Sequence, residues 1–140
     1  MGQQQHFLVV EDDPDVLTLM QRALESNERV VFISGSGRGG LQKFADLHGD
    51  LDLVIADVVL PDLSGPEMVR RMLQERPGLK VLFTTGYSDE VVQGYLSGLN
   101  RPLLHKPFTV PELRAAVETA LAWEARGEGS QINEAGAGLG

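Results

Sequence analysis

Short apolar runs alternate with amphipathic segments along most of the chain. Runs of aliphatic and β-branched residues this short predict buried strands rather than helices, because a helix needs a longer pattern. The predicted strands are Phe7–Val10, Val30–Ile33, Leu51–Ala56, Lys80–Thr84 and Leu103–His105. Each run stops at charged or hydroxyl residues, which predicts that the strand ends reach solvent.

Apolar residues at helical spacing predict a helix after each strand. Two starts are well marked: Asp13 is an N-cap before Pro14, and Thr109 begins a capping box with Glu112. The other predicted helices are Gly40–Leu47, which follows a glycine-rich loop, Glu67–Glu75, and a segment from Ser88 to about Ser97.

The alternation of strand and helix predicts the fold class. Parallel strands need crossover connections, which are right-handed in nearly all proteins. We therefore predict an α/β protein with three layers, a (βα)₅ flavodoxin-like, doubly wound sheet of five parallel strands. The strand order expected for that fold is 2-1-3-4-5.

Composition narrows the class of protein. The 140 residues suffice for one domain, and no cysteine is available for disulfides or thiolate chemistry. The net charge of −8 argues against a nucleic-acid surface. No apolar run is long enough for a membrane span or a signal peptide, so we expect a soluble, cytoplasmic protein without membrane contact. We predict a disordered N-terminus over 1–6, the domain over 7–126, and a flexible Gly-rich tail or linker over 127–140.

Chemistry-bearing residues lie where the predicted strands end. Glu11 and Asp12 follow the first strand, Asp57 the third, and Lys106 the fifth, while Thr84 and Thr85 end the fourth. In an open parallel sheet, ligands bind outside the carboxyl ends of the strands. Carboxylates suit Mg²⁺, which also keeps waters and shares phosphate oxygens. The pattern predicts a site for a divalent metal and a phosphoryl group, with Asp57 as a candidate nucleophile.

Each residue also has a simpler interpretation. Asp57 alone is compatible with a turn residue, Lys106 with a surface lysine, and Thr84 and Thr85 with ordinary strand threonines. For Asp13 we prefer the simpler interpretation, that it only caps the first helix. What favours the site is that the acids, the hydroxyl and the lysine all occur at strand ends.

The chain resembles the receiver domain of two-component response regulators, over roughly Phe7 to Trp123. The resemblance lies in Val9-Val10-Glu11-Asp12-Asp13-Pro14, in Asp57 with the following Val58-Val59-Leu60-Pro61-Asp62-Leu63-Ser64-Gly65, in Thr84-Thr85-Gly86-Tyr87, and in Lys106-Pro107-Phe108. The last two motifs are most similar to receivers attached to hybrid histidine kinases.

The resemblance implies a role for each matching position. Asp57 is the expected phosphoacceptor, and Mg²⁺ (or Mn²⁺) is the expected cofactor. The expected metal ligands are Glu11, Asp12, Asp57 and the backbone carbonyl of Val59. Thr85 matches the switch hydroxyl, and Lys106 matches the lysine of the site. The expected phosphoryl donor is a sensor histidine kinase or a histidine phosphotransfer domain, and dimerisation stays open.

Two positions depart from the family pattern. The first acid is Glu11 where aspartate is usual, and the fifth-strand switch position is Leu103 where an aromatic residue is usual. Output through the fourth helix and Tyr87 is therefore a hypothesis. The domain is expected to catalyse its own phosphorylation and dephosphorylation without turning over an external substrate, either alone or within a hybrid kinase. The alternative is a degenerate receiver that acts only as a protein-interaction module. An enzyme on the same fold lacks support, because no GxxxxGKS-type phosphate loop follows the first strand.

Overall fold

The computed structural model describes residues 3–124 of the chain. The strands are β1 (Gln5–Val10), β2 (Arg29–Ser34), β3 (Leu53–Asp57), β4 (Lys80–Thr85) and β5 (Leu103–His105). The helices are α1 (Pro14–Leu24), α2 (Gly37–Asp46), α3 (Gly65–Glu75), α4 (Asp89–Leu96) and α5 (Val110–Leu121). The predicted tail over 127–140 and the predicted domain boundary at 126 lie outside the described residues.

The strands form one parallel sheet in the order β2-β1-β3-β4-β5, which confirms the predicted fold class. Side chains alternate across β3, so that Val54 and Ala56 join one apolar cluster while Leu53 and Ile55 join the other. The first cluster includes residues of α2, α3 and α4, and the second includes residues of α1 and α5. β3 is buried along its whole length and is the central strand of the sheet, so its carboxyl end lies at the middle of the sheet edge.

The first strand begins inside the segment predicted to be disordered. Gln5 and His6 pair with β2, and the His6 backbone N–H donates to Asp52 Oδ2 at 2.8 Å. The prediction for 1–6 is therefore wrong at these two residues. The error has a physical cause. The side chains of Gln5 and His6 are polar, so the hydrophobic pattern does not indicate a strand here, although the backbone pairs with β2.

Helix α2 begins three residues before its predicted start. Ser36 caps it by accepting from the Gly39 N–H at 3.0 Å, so Gly37 and Gly39 belong to the helix and not to a loop. A Cβ at Gly37 would lie 2.7 Å from the Leu63 carbonyl oxygen. Glycine is used here because the helix start lies close to the β3–α3 loop, which the local sequence does not reveal.

Asp62 caps α2 from that loop. Its Oδ1 and Oδ2 accept from the Gly37 and Arg38 backbone N–H groups, each at 2.9 Å. Hydrogen bonds from these N–H groups, that of Arg38 foremost, hold the pKa of Asp62 below its usual value. The carboxylate thus satisfies two donors that the helix itself leaves unpaired.

We expect Asp62→Ala to lower the free energy of unfolding by about 1 kcal/mol at neutral pH, the typical cost of losing a helix cap. Because folding lowers the pKa of Asp62, its carboxylate makes its full contribution to the free energy of unfolding above the unfolded-state pKa. That contribution is lost as the pH falls through the folded-state pKa. Urea unfolding of wild type and variant should therefore converge in acid. A difference that is constant from neutral pH to pH 3 would contradict this origin.

Two predicted helix starts are confirmed in atomic detail. Asp13 Oδ1 accepts from the Asp15 and Val16 N–H groups, and Thr109 and Glu112 form the reciprocal capping box. Ser88 precedes α4 but its side chain makes no capping hydrogen bond. No helix within residues 3–124 has the length and hydropathy to cross a membrane.

Candidate functional site

A cavity of about 400 Å³ opens at the carboxyl ends of the strands. It lies between the β1–α1 loop, the end of β3, the β4–α4 loop and the residue after β5. The predicted site residues that line it are Glu11, Asp12, Asp57, Val59, Tyr87 and Lys106. The sheet therefore brings together the acids and the lysine that the sequence pattern singled out, whereas Thr84 and Thr85 are not among the residues that line the cavity.

Three carboxylates converge in this cavity. Glu11, Asp12 and Asp57 each offer one oxygen, and these oxygens lie within 4.8 Å of one another. Glu11 and Asp57 are buried, with 1% and 6% of their surfaces exposed, while Asp12 is exposed. Three anionic groups at this separation repel one another unless cations are present, so the arrangement is suited to a divalent cation.

Lys106 supplies the cation that the described residues place among these acids. Its Nζ lies 2.6 Å from Glu11 Oε1 and 2.6 Å from Asp57 Oδ2. Burial alone would lower the pKa of Lys106, but its contacts with Asp57 and Glu11 outweigh burial and raise that pKa. The ammonium is therefore charged at neutral pH, and it offsets only part of the acidic charge.

Glu11 is the most buried of the acids. Its Oε2 accepts from the Asp13 backbone N–H at 3.0 Å, whereas the buried Oε1 has the Lys106 ammonium as its close partner, at 2.6 Å. Burial raises the pKa of Glu11, as does the charge of Asp57, against the opposing effects of Lys106 and the Asp13 N–H. Among the described residues, Lys106 is thus the cation that meets the charge of the Glu11 side chain.

Asp57 is held at both of its oxygens. Oδ1 accepts from the Val59 backbone N–H at 3.1 Å, and Oδ2 accepts from Lys106 Nζ. The side chain is thus fixed at the mouth of the cavity, on the last residue of β3. The role of the Val59 carbonyl as a metal ligand stays a prediction, although Val59 does line the cavity.

The two threonines of β4 are buried beside the site. Thr84 pairs in register with Asp57, while Thr85 follows it and precedes Gly86, which lines the cavity. Thr85 Oγ1 accepts from the Tyr87 backbone N–H at 3.0 Å. Thr85 is not among the residues that line the cavity, so its predicted contact with a phosphoryl oxygen would require the side chain to turn toward the cavity.

The predicted switch residues differ in position. Tyr87 lines the cavity and is 51% exposed. Leu103 lies in β5, where it pairs with Phe83 of β4, and it is partly buried against the first apolar cluster. Leu103 is not among the residues that line the cavity. Their roles in switching stay predictions.

Two contacts near the site were not predicted. The Glu11–Lys106 contact was missed because the sequence pattern paired Lys106 only with Asp57. His105, which had no predicted role, has its Nε2 3.0 Å from Asp89 Oδ1 and so joins β5 to the start of α4. The predicted capping role of Asp13 is confirmed, and its position in the lining of the cavity was not predicted. No local sequence signal indicates which distant side chains meet.

Comparison with known proteins identifies the family. Residues 7–118 match the family model described as the response regulator receiver domain. Because this match covers well over half of the chain, the protein belongs to the receiver domains of two-component signalling, the phosphoacceptor domains of response regulators. Receiver domains interact with histidine kinases or phosphotransfer proteins and bind Mg²⁺ at an acidic pocket.

Curated relatives place this domain in two settings. The sensor kinase CckA of Brucella abortus is 32% identical over 115 residues, which cover 81% of this chain and 12% of that kinase. The transcriptional regulatory protein CusR of Escherichia coli K12 is 33% identical over 117 residues, covering 82% of this chain and 50% of the regulator. The chain thus spans half of one relative and a small part of the other.

Solved structures agree with the fold. A receiver domain from Clostridium thermocellum has a TM-score of 0.72 at 28% identity, covering 84% of this chain and 94% of that one. The response regulator TrrA of Thermotoga maritima, solved in complex with Mg²⁺ and a beryllium fluoride, has a TM-score of 0.68 at 25% identity, covering 84% and 99%.

Proposed function

We propose that Asp57 accepts a phosphoryl group from the phosphohistidine of a sensor kinase or of a histidine phosphotransfer domain. The observation that carries this proposal is the placement of the Asp57 carboxylate: it ends the central strand, is fixed by Val59 and Lys106, and lies within 4.8 Å of two further carboxylates. A carboxylate so placed is a nucleophile with counter-charges available for the incoming phosphoryl oxygens.

The transfer exchanges one bond at phosphorus for another. A carboxylate oxygen of Asp57 forms the O–P bond while the P–N bond to the donor imidazole breaks. The bond pair leaves with the imidazole nitrogen, and the product is an acyl phosphate on Asp57. Water later hydrolyses the acyl phosphate and regenerates the carboxylate. The protein contributes mainly position and charge to such a transfer.

The residues present fit a magnesium ion. The donors are hard carboxylate oxygens of Glu11, Asp12 and Asp57, which lie within 4.8 Å of one another, and the single charge of Lys106 offsets only part of theirs. Asp12, Asp57 and the Val59 carbonyl would hold the ion, with Glu11 partly through water; Mn²⁺ has similar preferences. When bound, the ion neutralises charge that develops on the transferring oxygens. Lys106 keeps a second positive charge on the Asp57 side of the cavity.

Phosphorylation would change the β4–α4 loop through Thr85. If Thr85 Oγ1 turns to donate to a phosphoryl oxygen, the Tyr87 N–H loses its present acceptor. The β4–α4 loop is then released at Tyr87, and the surface of α4, β5 and α5 changes. Because Leu103 offers no aromatic ring, we propose that Tyr87 carries this change. The result is a population shift between two states.

The proposed setting follows from the same chemistry. Phosphohistidine donors obtain their phosphoryl group from ATP, so we propose that the domain works in the cytoplasm. Its output is exerted through protein contacts, in a single-domain regulator or a hybrid kinase. The alternative function, a receiver that is never phosphorylated and acts only by binding proteins, is disfavoured because the acid, acceptor and lysine positions are all filled.

We expect one added phosphoryl group per chain after incubation with acetyl phosphate and Mg²⁺, measured by intact mass, and none with Asp57→Asn. The matched control is Asp46→Asn, which changes an exposed acid at the end of α2 and should retain the adduct. Chelation of Mg²⁺ should prevent phosphorylation. An adduct that persists in Asp57→Asn would contradict the assignment. No adduct in the wild type with acetyl phosphate or a phosphohistidine donor would support the interaction module.

A further inference from the structure

We propose that Glu11 is a positioning residue for Lys106, in addition to any part that it takes in holding a cation. It keeps the lysine ammonium within reach of Asp57 before transfer and of the phosphoryl group after it. This inference rests on the proposed phosphorylation of Asp57.

The orientation of the Glu11 carboxylate is fixed from one side. Oε2 accepts from the Asp13 backbone N–H at 3.0 Å, so it is tied to the β1–α1 loop. Oε1 then faces Lys106 Nζ at 2.6 Å. The side chain is 1% exposed and therefore has little freedom to take another orientation.

Lys106 depends on its anionic partners for its position. It follows the last strand, and its long flexible side chain is 23% exposed. Nζ lies 2.6 Å from an oxygen of Glu11 and 2.6 Å from an oxygen of Asp57. A lysine ammonium is a point charge on a mobile stem, so two fixed anions define its location better than one.

Only one of those anions survives phosphorylation unchanged. Asp57 becomes an acyl phosphate, and its negative charge moves outward to the phosphoryl oxygens. Glu11 keeps its carboxylate and its backbone hydrogen bond. Glu11 therefore supplies the constant attachment for Nζ while the second partner changes from the Asp57 oxygen to a phosphoryl oxygen.

Glu11 and Asp12 differ in their burial and in their contact with Lys106, and the contact of Glu11 depends on the length of its side chain. Glu11 is buried and contacts the lysine, whereas Asp12 is exposed and the described residues show no ion pair between it and Lys106. An aspartate at position 11 would be one methylene shorter and would draw its oxygen away from Nζ. Glu11→Asp thus keeps the charge at the site but weakens the attachment.

The first test uses metal-free protein and needs no activity. Unfolding by urea in the presence of a chelator is measured for wild type, Glu11→Gln, Lys106→Met and the double variant. We expect the single effects to be non-additive by about fivefold or more in the unfolding equilibrium constant, as for groups in direct contact. The control cycle pairs Asp12→Asn with Lys106→Met and should show clearly weaker coupling. Equal coupling in the two cycles would overturn the proposal.

The second test measures phosphorylation by acetyl phosphate as a function of Mg²⁺ concentration. A role in positioning Lys106 predicts that Glu11→Gln and Glu11→Asp lower the rate at saturating Mg²⁺, with a loss of about tenfold for Glu11→Gln. In the Lys106→Met background, Glu11→Gln should cause no further loss of that rate. Asp12→Asn should instead act mainly by raising the Mg²⁺ concentration needed for half-saturation.

The outcomes separate the two proposals. If excess Mg²⁺ restores Glu11→Gln to the wild-type rate, or if its loss is the same with and without Lys106, then Glu11 serves only the cation and the positioning role is wrong. If wild type itself takes up no phosphoryl group, the proposed function fails before Glu11 is tested. Glu11→Asp keeps the experiment informative if Glu11→Gln does not fold.

Discussion

Replacing Gly65 by alanine is expected to destabilise the domain and to slow phosphorylation. A Cβ at position 65 would lie 2.1 Å from the Asp57 carbonyl oxygen and 3.3 Å from the Val58 Cα. These are backbone atoms at the end of the central strand, so no side-chain rotation can relieve the overlap. Either α3 must move away from β3, or the peptide units that carry Asp57 must shift.

The size of the effect follows from the cost of overpacking. Inserting one methylene into a packed interior costs about 1–3 kcal/mol, and rigid backbone neighbours favour the upper part of that range. The Gly65 N–H also donates to the Val58 carbonyl at 3.0 Å, and displacement of α3 would lengthen this bond. Because Asp57 is the proposed nucleophile, a small displacement should also lower the rate of phosphoryl uptake.

Gly94→Ala provides the matched control. Gly94 lies within α4, and a Cβ there would meet nothing within 4 Å. Alanine should stabilise this helix by about 0.5–1 kcal/mol, since glycine is the poorer helix former. Urea unfolding and acetyl phosphate kinetics of both variants test the contrast. Equal stability of the two variants would show that the close approach at Gly65 is not a constraint.

The position of the site follows from a simple rule that the sequence satisfies. Apolar strands that stop at Glu11, Asp57 and Lys106 place those residues at one edge of a parallel sheet, whatever the details of packing. The acidic cluster and the Lys106–Asp57 contact are both present as that rule predicts. Local signals also sufficed for the caps at Asp13 and Thr109, because a cap involves only residues within one turn.

The sequence predicted less well wherever a distant residue decides the structure. The glycines before residue 40 suggest a loop, but Gly37 lies in a helix because Leu63 packs against it and Asp62 caps it. His6 lies in a strand because of pairing with β2. Likewise, the spacing of Glu11 and Lys106 along the chain carries no information on the distance between their charged atoms.

These differences share a consequence for the switch. The contacts that the local sequence did not reveal, Glu11 with Lys106 and Asp89 with His105, join different elements of the fold. Both contacts involve residues adjacent to the proposed phosphorylation site or to the loop that would respond to it. The contacts that the proposed switch involves therefore include side-chain pairs that the local sequence does not reveal.

Lys106→Met is expected to have the largest effect on the charge balance of the site. Methionine keeps most of the apolar stem but removes the ammonium that lies 2.6 Å from both Glu11 and Asp57. Removing one partner of a buried ion pair costs about 3–5 kcal/mol because the other charge is left uncompensated. Lys106 is partly exposed, so we expect a smaller loss of about 2–3 kcal/mol in metal-free protein, at or below the lower limit of that range.

Magnesium should reverse much of this loss, since a divalent cation can replace the missing counter-charge. The stabilisation by saturating Mg²⁺, measured by urea unfolding, should therefore be larger for Lys106→Met than for wild type. Phosphoryl uptake should nevertheless stay slower by about 10²–10³-fold, the typical cost of losing one charged or hydrogen-bonding group that stabilises a transition state. The metal cannot restore this rate, because the proposed role of Lys106 is to meet a different phosphoryl oxygen.

Lys80→Met separates these effects from the general cost of losing a lysine. Lys80 Nζ donates to the Trp123 carbonyl at 2.5 Å and pairs with Glu124, at the amino end of β4 and away from the acidic cluster. Its replacement should lower stability modestly, leave the response to Mg²⁺ unchanged and leave the phosphorylation rate close to that of wild type. If Lys106→Met matched Lys80→Met in all three measurements, Lys106 would be an ordinary surface lysine, and the charge balance inferred for the site would be wrong.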